Sequence, residues 1–331
     1  PITKISLNNF RCFKNLELSL SPGINFFFGS NGSGKTSILE SVFIFSSGKS
    51  FKSSNLTSLI NYDNDKFILK GFDNKKGYIV EIEKSKNKTI SISLNNNKTN
   101  TSKLVKEFPC TPIHNNTFSF ADASPDFRRK LVDRSIFIAE DNFSKAWFSF
   151  YRSLRQRNFL IKNNRISDIY NWNTKLADEA EKLSKYRKDF FEKTLNEFYL
   201  LINLLKPEDV FDFFNLIKIE FSQGWSPEKS YLDVLNENKD IDIKRRSTTS
   251  GPHKSDIKFF INDIDARQIL SRGEQKFFSI IWSCAQHEVL KKHYEIDATL
   301  LIDDIKSELD ERVFKLFSDL LNHINTQVIF S

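Results

Sequence analysis

Methionine is absent from this 331-residue chain, although a chain of this length ordinarily carries about six or seven. Its 33 phenylalanines still provide large apolar side chains for a core. Cysteine is scarce too. Cys12, Cys110 and Cys284 are odd in number, far apart and in no metal-ligand spacing, which fits a reducing cytosol. No basic-plus-apolar leader opens the chain, and no apolar run approaches the roughly 20 residues of a membrane helix. The expectation is a soluble, cytoplasmic protein with no membrane partner. There is no internal repeat and no long heptad array, which excludes a long coiled coil, and no second acidic cluster with which to cut nucleic acid. The formal net charge of +7 suits a polyanionic partner as readily as it suits a Lys-rich, Asn-rich background. The length allows one large or two ordinary domains.

What is present is concentrated in one stretch. Gly29-Ser30-Asn31-Gly32-Ser33-Gly34-Lys35-Thr36 is a complete phosphate-binding loop between the strand-like run Ile24-Asn25-Phe26-Phe27-Phe28 and the helix-like run Ser37-Ile38-Leu39-Glu40-Ser41-Val42. The glycines fall where a chain must turn sharply out of a buried strand. They let successive backbone N–H groups converge on a phosphate, and the following helix directs its positive dipole end at the same anion. Lys35 would bridge the outer phosphates, and Thr36 would offer its hydroxyl to Mg²⁺. Residues 29–37 are therefore the expected nucleotide site, with ATP and Mg²⁺ as cofactors.

Near the other end, Thr299-Leu300-Leu301-Ile302-Asp303-Asp304 is an apolar run closing in two carboxylates. A buried parallel strand reads as continuous hydrophobics, and ligands gather at the carboxyl ends of such strands. Asp303 suits the metal; Asp304 suits activation of the attacking water. Between the two segments, Leu270-Ser271-Arg272-Gly273-Glu274-Gln275 opens a long amphipathic stretch, and alone it reads as a helix cap. Followed by the carboxylate strand and then by Ser307-Glu308-Leu309-Asp310, it matches the order of parts in the ATP-binding-cassette (ABC) class. That resemblance implies that Ser271, Arg272, Gly273 and Glu274 act in trans on nucleotide held by a second copy, with Ser307 and Asp310 in the D-loop. It implies an ATP-dependent homodimer.

The chain further resembles the RecF family, bacterial recombinational-repair ATPases related to the heads of structural-maintenance-of-chromosomes (SMC) proteins. The matching segments are Asn9-Phe10-Arg11-Cys12-Phe13, the loop with Leu39-Glu40, Ser47-Gly48-Lys49-Ser50-Phe51-Lys52, Ser124-Pro125-Asp126-Phe127-Arg128-Arg129, Leu154-Arg155-Gln156-Arg157-Asn158, Trp172-Asn173-Thr174-Lys175-Leu176-Ala177, and Thr248 to Ser255 around Gly251-Pro252-His253-Lys254. They span nearly the whole chain. The resemblance implies that Arg11 joins the nucleotide site and that the protein is a weak, DNA-stimulated ATPase. It implies that the ATP-bound dimer clamps double-stranded DNA near gaps or junctions and that hydrolysis releases it. RecR-like and RecO-like mediators and a nucleoid-associated bacterial cytoplasmic location come from the resemblance alone. A transporter or nuclease-linked cassette subunit is the alternative. The chain departs from the family at Ser271-Arg272-Gly273-Glu274, where a glutamine-rich signature is usual, and at Lys254-Ser255, where an Arg-Asp pair is usual. Near His114-Asn115-Asn116 no Gln or Glu is available to sense the γ-phosphate.

Strand-like alternation runs from Thr3 to Phe28 and again from Phe67 to Leu94. From Ser124, an N-cap with Pro125 at the first helical position, the period becomes helical through Leu195, and sheet signals resume at Ile217 to Phe221 and Ile257 to Ile261, with a turn at Asn262-Asp263. The expected fold is α/β: an ABC-type head with a mixed sheet and an antiparallel β subdomain, residues 1–118 and 216–331, carrying an inserted helical arm, residues 119–215. Among the arm's many cations, Arg128, Arg129, Arg155 and Arg157 are the candidates for contacting DNA phosphates.

Overall fold

The computed structural model describes residues 1–114, 117–205, 214, 216–305 and 309–331. In chain order it comprises strands β1 (Lys4–Phe10), β2 (Phe13–Ser19) and β3 (Ile24–Phe26), helix α1 (Lys35–Ser47), strands β4 (Lys66–Asp73), β5 (Tyr78–Ser85), β6 (Ser91–Leu94) and β7 (Asn97–Lys98), helix α2 (Thr101–Glu107) and strand β8 (Cys110–Ile113). Helices α3 (Pro125–Ala139), α4 (Phe143–Lys162) and α5 (Ile169–Leu204) follow, then β9 (Ile217–Ser222), α6 (Tyr231–Glu237), α7 (Lys239–Arg245), β10 (Asp256–Ile261), β11 (Ile264–Asp265) and α8 (Ala266–Ile269). The chain closes with α9 (Arg272–Tyr294), β12 (Thr299–Ile302), α10 (Glu311–His323) and β13 (Val328–Phe330).

The chain divides into two compact units, Pro1–Phe118 with Ser279–Ser331, and Ser119–Phe278. In the first unit an antiparallel sheet runs in the order β2-β1-β4-β5-β6-β7 and a parallel sheet in the order β3-β13-β12-β8. The antiparallel strands alternate as their sequences require: Ile5, Leu7, Phe67, Leu69, Val80 and Ile82 are buried while the intervening charged side chains face outward. Leu7 lies opposite Leu69, and Leu69 opposite Ile82, so one apolar face is built from register alone. Helix α1 packs on both sheets, and every residue from Ile38 to Ser47 is buried. Two of its serines are accommodated by bonding back along the helix, Ser41 Oγ to the Ile38 carbonyl at 2.7 Å and Ser47 Oγ to that of Phe43 at 2.8 Å. In β12 all four residues are buried, as a central parallel strand requires. By contrast β3, expected to be buried, is an edge strand. Ile24 and Phe26 are exposed and only alternate residues face inward.

The second unit holds the helices. Strands β9, β10 and β11 form a separate antiparallel sheet, and the turn at Asn262 and Asp263 is present, with φ of 50° and 61°, as a two-residue hairpin of the mirror-image type needs. Parallel and antiparallel sheets both occur in the first unit, as expected of an α/β head with an antiparallel β subdomain. The first unit's leading segment ends at Phe118, and residues 216–278 lie in the second unit with the helices. The cause is a set of ion pairs that tie this segment to the helices: Arg128 to Asp256 and Arg157 to Asp242. Helix α5, 36 residues and about 54 Å long, pairs with the 20-residue α4 as a helical hairpin far shorter than a chromosome-structuring coiled coil. Among the described residues no helix is long and apolar enough to cross a membrane.

Candidate nucleotide site

The phosphate loop leaves the edge of the parallel sheet and closes on the N-terminus of α1. Gly34 is the cap of that helix at φ 95°, a left-handed conformation, and a Cβ there would collide with the Phe13 ring and lie 2.8 Å from the Cys12 sulfur. Only glycine lets the loop close against the turn between β1 and β2. The Lys35 ammonium spans the loop, donating to the carbonyls of Gly29 at 2.8 Å and Ser30 at 3.0 Å. No acidic residue occupies the first turn of α1, so the dipole end and its N–H groups are left for an anion.

The carboxylate strand delivers its two aspartates to the same place in different settings. Asp303 is buried; its backbone N–H donates to the Ile113 carbonyl at 2.9 Å, and its carboxylate receives the hydroxyls of Thr36 and, at 3.1 Å, Ser331. Burial raises its pKa above the ordinary carboxylate value, with the Thr36 hydrogen bond opposing. Lys52 Nζ lies 4.0 Å away. Asp304 is exposed and holds a left-handed φ of 56°. Together with Arg11, Lys35, Thr36, Lys52 and Ser331 it lines an open cleft of about 530 Å³.

Arg11 is fixed in this wall from three sides. Its backbone, at φ 54°, donates to the Leu59 carbonyl at 2.7 Å and accepts from Asn61 Nδ2 at 2.8 Å. Its guanidinium forks onto Glu40 of α1, at 2.9 Å for each bond, which uses two of its five donors. Glu40 is 1% exposed and also accepts from the Ser50 hydroxyl. Cys12, Lys52 and Ser331 were not predicted at the cleft. Lys52 is recognisable only as part of the Ser47-to-Lys52 segment, because the carboxylate it approaches lies at the opposite end of the chain.

The predicted nucleotide and metal residues of the first unit therefore come together. The fit to a hydrated divalent cation is good: a buried carboxylate joined by a threonine hydroxyl is the small protein share that Mg²⁺ takes when phosphates and waters complete its shell. The expected trans-acting residues lie in the second unit. Ser271 and Glu274 form a reciprocal cap on α9, the Ser271 N–H reaching Glu274 Oε2 at 2.7 Å and the Glu274 N–H reaching Ser271 Oγ at 3.3 Å, with Arg272 and Gly273 in the first turn. Asp310 caps α10 by accepting from the Val313 N–H at 2.8 Å. Ser307 and the Asn115-Asn116 step lie outside the described residues; His114 stacks on Phe51 at 5.1 Å.

Two of the four expected DNA contacts are corrected. Arg128 is buried and forks onto Asp256 at 2.8 Å per bond, while Arg157, fully buried, donates to Asn173, Asp242 and Thr248 at 2.8, 2.7 and 2.7 Å. Guanidinium groups so enclosed are structural; drawing them out to a phosphate would strand their carboxylates. Arg129 is mostly covered and donates to the Ser255 carbonyl at 2.7 Å, with Asp126 at 3.6 Å. Arg155 alone of the four is exposed.

Lys35→Ala is expected to reduce nucleotide affinity by about tenfold or more, the scale of a charge-assisted hydrogen bond lost from a phosphate. Equilibrium binding of a fluorescent ATP analogue checks it. Wild-type affinity in the variant would remove Lys35 from the site.

The chain matches the family described as the RecF/RecN/SMC N terminal domain over residues 1–331. It is 34% identical over 332 residues to the DNA replication and repair protein RecF of Mannheimia succiniciproducens, covering 99% of this chain and 91% of that protein. The same protein of Actinobacillus succinogenes is 33% identical, with 99% and 91% covered. In fold it is similar to the recombination mediator protein RecF–ATP of the RecFOR pathway, with a TM-score of 0.82 at 23% identity, covering 100% of this chain and 91% of that one.

Proposed function

This chain belongs to the RecF/RecN/SMC family, and on that premise we propose that it is an ATP-dependent DNA-binding protein of recombinational repair, a weak ABC-type ATPase stimulated by DNA. The transporter-type alternative drops out with the family. The observation that carries the reading is the convergence of a complete phosphate loop, Thr36, Asp303 and Asp304 on one cleft. Bound there, Mg²⁺ would supply charge neutralisation between the β- and γ-phosphates. Thr36 and Asp303 would hold it. Lys35 and the loop N–H groups bind and orient the phosphates, Arg11 is held by Glu40 against the same wall, and Asp304, exposed at the cleft, takes the proton from the attacking water.

The cleft is open, which suits completion by a second copy. Ser271, Arg272, Gly273 and Glu274 of the partner head would close it at the N-terminus of α9, where the capped first turn offers N–H groups to the γ-phosphate; Ser307 and Asp310 are the proposed D-loop. The joined heads clamp duplex DNA near a single-strand gap or junction, and hydrolysis separates them. RecR-like and RecO-like mediators are the proposed partners in loading recombinase, at the bacterial nucleoid. Arg155 and, less openly, Arg129 remain as phosphate contacts.

Sedimentation with and without ATP and gapped DNA tests this, with Ser271→Arg as the informative variant. Each head's own ATP affinity should stay within about twofold, because Lys35, Thr36 and Asp303 are untouched, while the arginine blocks the seat of the partner's phosphate. Pairing should be lost. ATP-dependent DNA affinity should weaken and its salt dependence flatten, since one head neutralises fewer phosphates than two. Ser271→Ala removes the same helix cap without the bulk and calibrates the cap's own cost, about 1 kcal/mol. A Ser271→Arg protein that still dimerises with ATP would return this segment to the role of a helix cap alone.

A further inference from the structure

Six residues of α4 are exposed: Lys145, Phe148, Arg152, Arg155, Phe159 and Lys162. Their spacing alternates between three and four residues, so they form one stripe along the helix, about 25 Å from first to last. The opposite face, with Phe143, Phe150, Leu154 and Ile161, is buried in the arm. The stripe contains four cations, two phenylalanines and no carboxylate, and among the described residues none of the four cations has an ion-pair partner. Phe148 and Phe159 are 59% and 52% exposed. Phe148 is steadied edge-on by Trp147 at 5.2 Å and Phe137 at 6.5 Å. The exposed cations Lys244, Arg245 and Arg246 at the end of α7 adjoin the same helix, because Asp242 of α7 bonds Arg157 at 2.7 Å and the Thr248 N–H bonds Asn158 at 2.8 Å.

We propose that this face of α4 is a binding strip for single-stranded DNA. The uncompensated cations call for a polyanion and oppose pairing with a second copy of the same face. The phenylalanines decide which polyanion. A phenyl ring has no group with which to meet a phosphate, and a duplex turns its base faces inward, so on a duplex both rings would lose water without gaining a partner. Unpaired bases offer π-faces, and alternating cations and aromatics let the backbone follow the charges while bases stack on the rings. The rings sit about 16 Å apart along the helix, room for more than one nucleotide between them. The strip rests on the reading of this chain as a DNA-binding repair protein, and it adds a contact with the unpaired strand to the duplex clamp, with Arg155 the one residue proposed for both.

The test uses the whole chain and a fluorescein-labelled oligothymidylate of about 16 nucleotides, read by fluorescence anisotropy without nucleotide, beside ATP-dependent retention of a blunt duplex. Phe148→Ala with Phe159→Ala should lower oligothymidylate affinity by about tenfold or more while leaving its salt slope and the duplex retention unchanged. Arg152→Glu with Arg155→Glu should lower the affinity further and flatten the salt slope by roughly 1.4, two single-strand phosphates' worth. Unaltered thermal melts show that both variants fold. Oligothymidylate affinity untouched in both variants overturns the proposal. So does equal loss of duplex and single strand in the phenylalanine variant, or loss only of binding to vesicles containing anionic phospholipid. If oligothymidylate binding follows the predicted pattern but ATP never promotes duplex retention, the strip stands and the clamp reading fails.

Discussion

Asp304→Asn is expected to bind Mg·ATP with near wild-type affinity and to hydrolyse it at least about a hundredfold more slowly, the loss that follows removal of a general base. On the barrier this is about 2.7 kcal/mol. The separation of binding from turnover follows from how the strand end places its two carboxylates. Asp303 is buried, takes hydroxyl bonds from Thr36 and Ser331 and faces Lys52, a setting that suits the proposed metal ligand better than a proton acceptor open to water. Asp304 is exposed at the cleft. Asparagine tolerates the left-handed conformation that Asp304 holds at φ 56°, so the substitution removes a proton acceptor without straining the backbone. The variant should accumulate as the ATP-bound pair. Phosphate release measured beside equilibrium nucleotide binding checks both halves; unchanged turnover would place the base elsewhere in the cleft.

The nucleotide half of this protein was legible because its chemistry is written locally. A loop that must turn at positive φ, leave a helix N-terminus open and carry one lysine has few sequences, and the order strand, loop, helix is visible in consecutive residues. The same holds for Asn262-Asp263, whose left-handed φ values are what those residue types tolerate. The arm was harder. Arg128, Arg157 and Arg187 look in one dimension like solvated cations, yet each is buried against a carboxylate 128, 85 or 54 residues away. Periodicity carried the missing signal: Arg157 follows Phe150 by seven residues and Leu154 by three, which puts it on the buried face of α4, whereas Arg152 and Arg155 fall on the other. For the sheet of β9 to β11 the sequence is silent on location, because an alternating strand carries no indication of which core will receive it. Its place is decided by Asp256 and Ser255, which meet Arg128 and Arg187 of the helices.

That dependence makes Arg187→Ala the substitution expected to cost the fold most. The guanidinium is fully buried and makes four bonds at once: two to Asp133 at 2.8 Å each, one to the Pro252 carbonyl at 2.6 Å and one to Ser255 Oγ at 2.9 Å. It is the post on which α3, α5 and the Gly251-Pro252-His253-Lys254 turn are hung. Alanine would leave the Asp133 carboxylate nearly enclosed with Trp147 Nε1, 3.0 Å away, as its remaining side-chain donor among the described residues, and would open a cavity beside it. Stranding one member of a buried ion pair costs about 3–5 kcal/mol, against about 0–1 kcal/mol for a surface pair such as Lys188 with Glu192. Urea unfolding followed by far-ultraviolet circular dichroism should therefore show a lower midpoint for Arg187→Ala, whereas Lys188→Ala should sit close to wild type. The double variant Asp133→Leu with Arg187→Met separates charge from shape: replacing both ions with apolar groups of similar volume removes the stranded carboxylate, so it should recover much of the loss. If Arg187→Ala unfolded within about 1 kcal/mol of wild type, or the double variant were no better than the single one, the Arg187 cluster would not help to hold β9 to β11 with the helices, and the Arg128–Asp256 pair with the packing of Phe191 on Phe221 at 5.7 Å would have to do so.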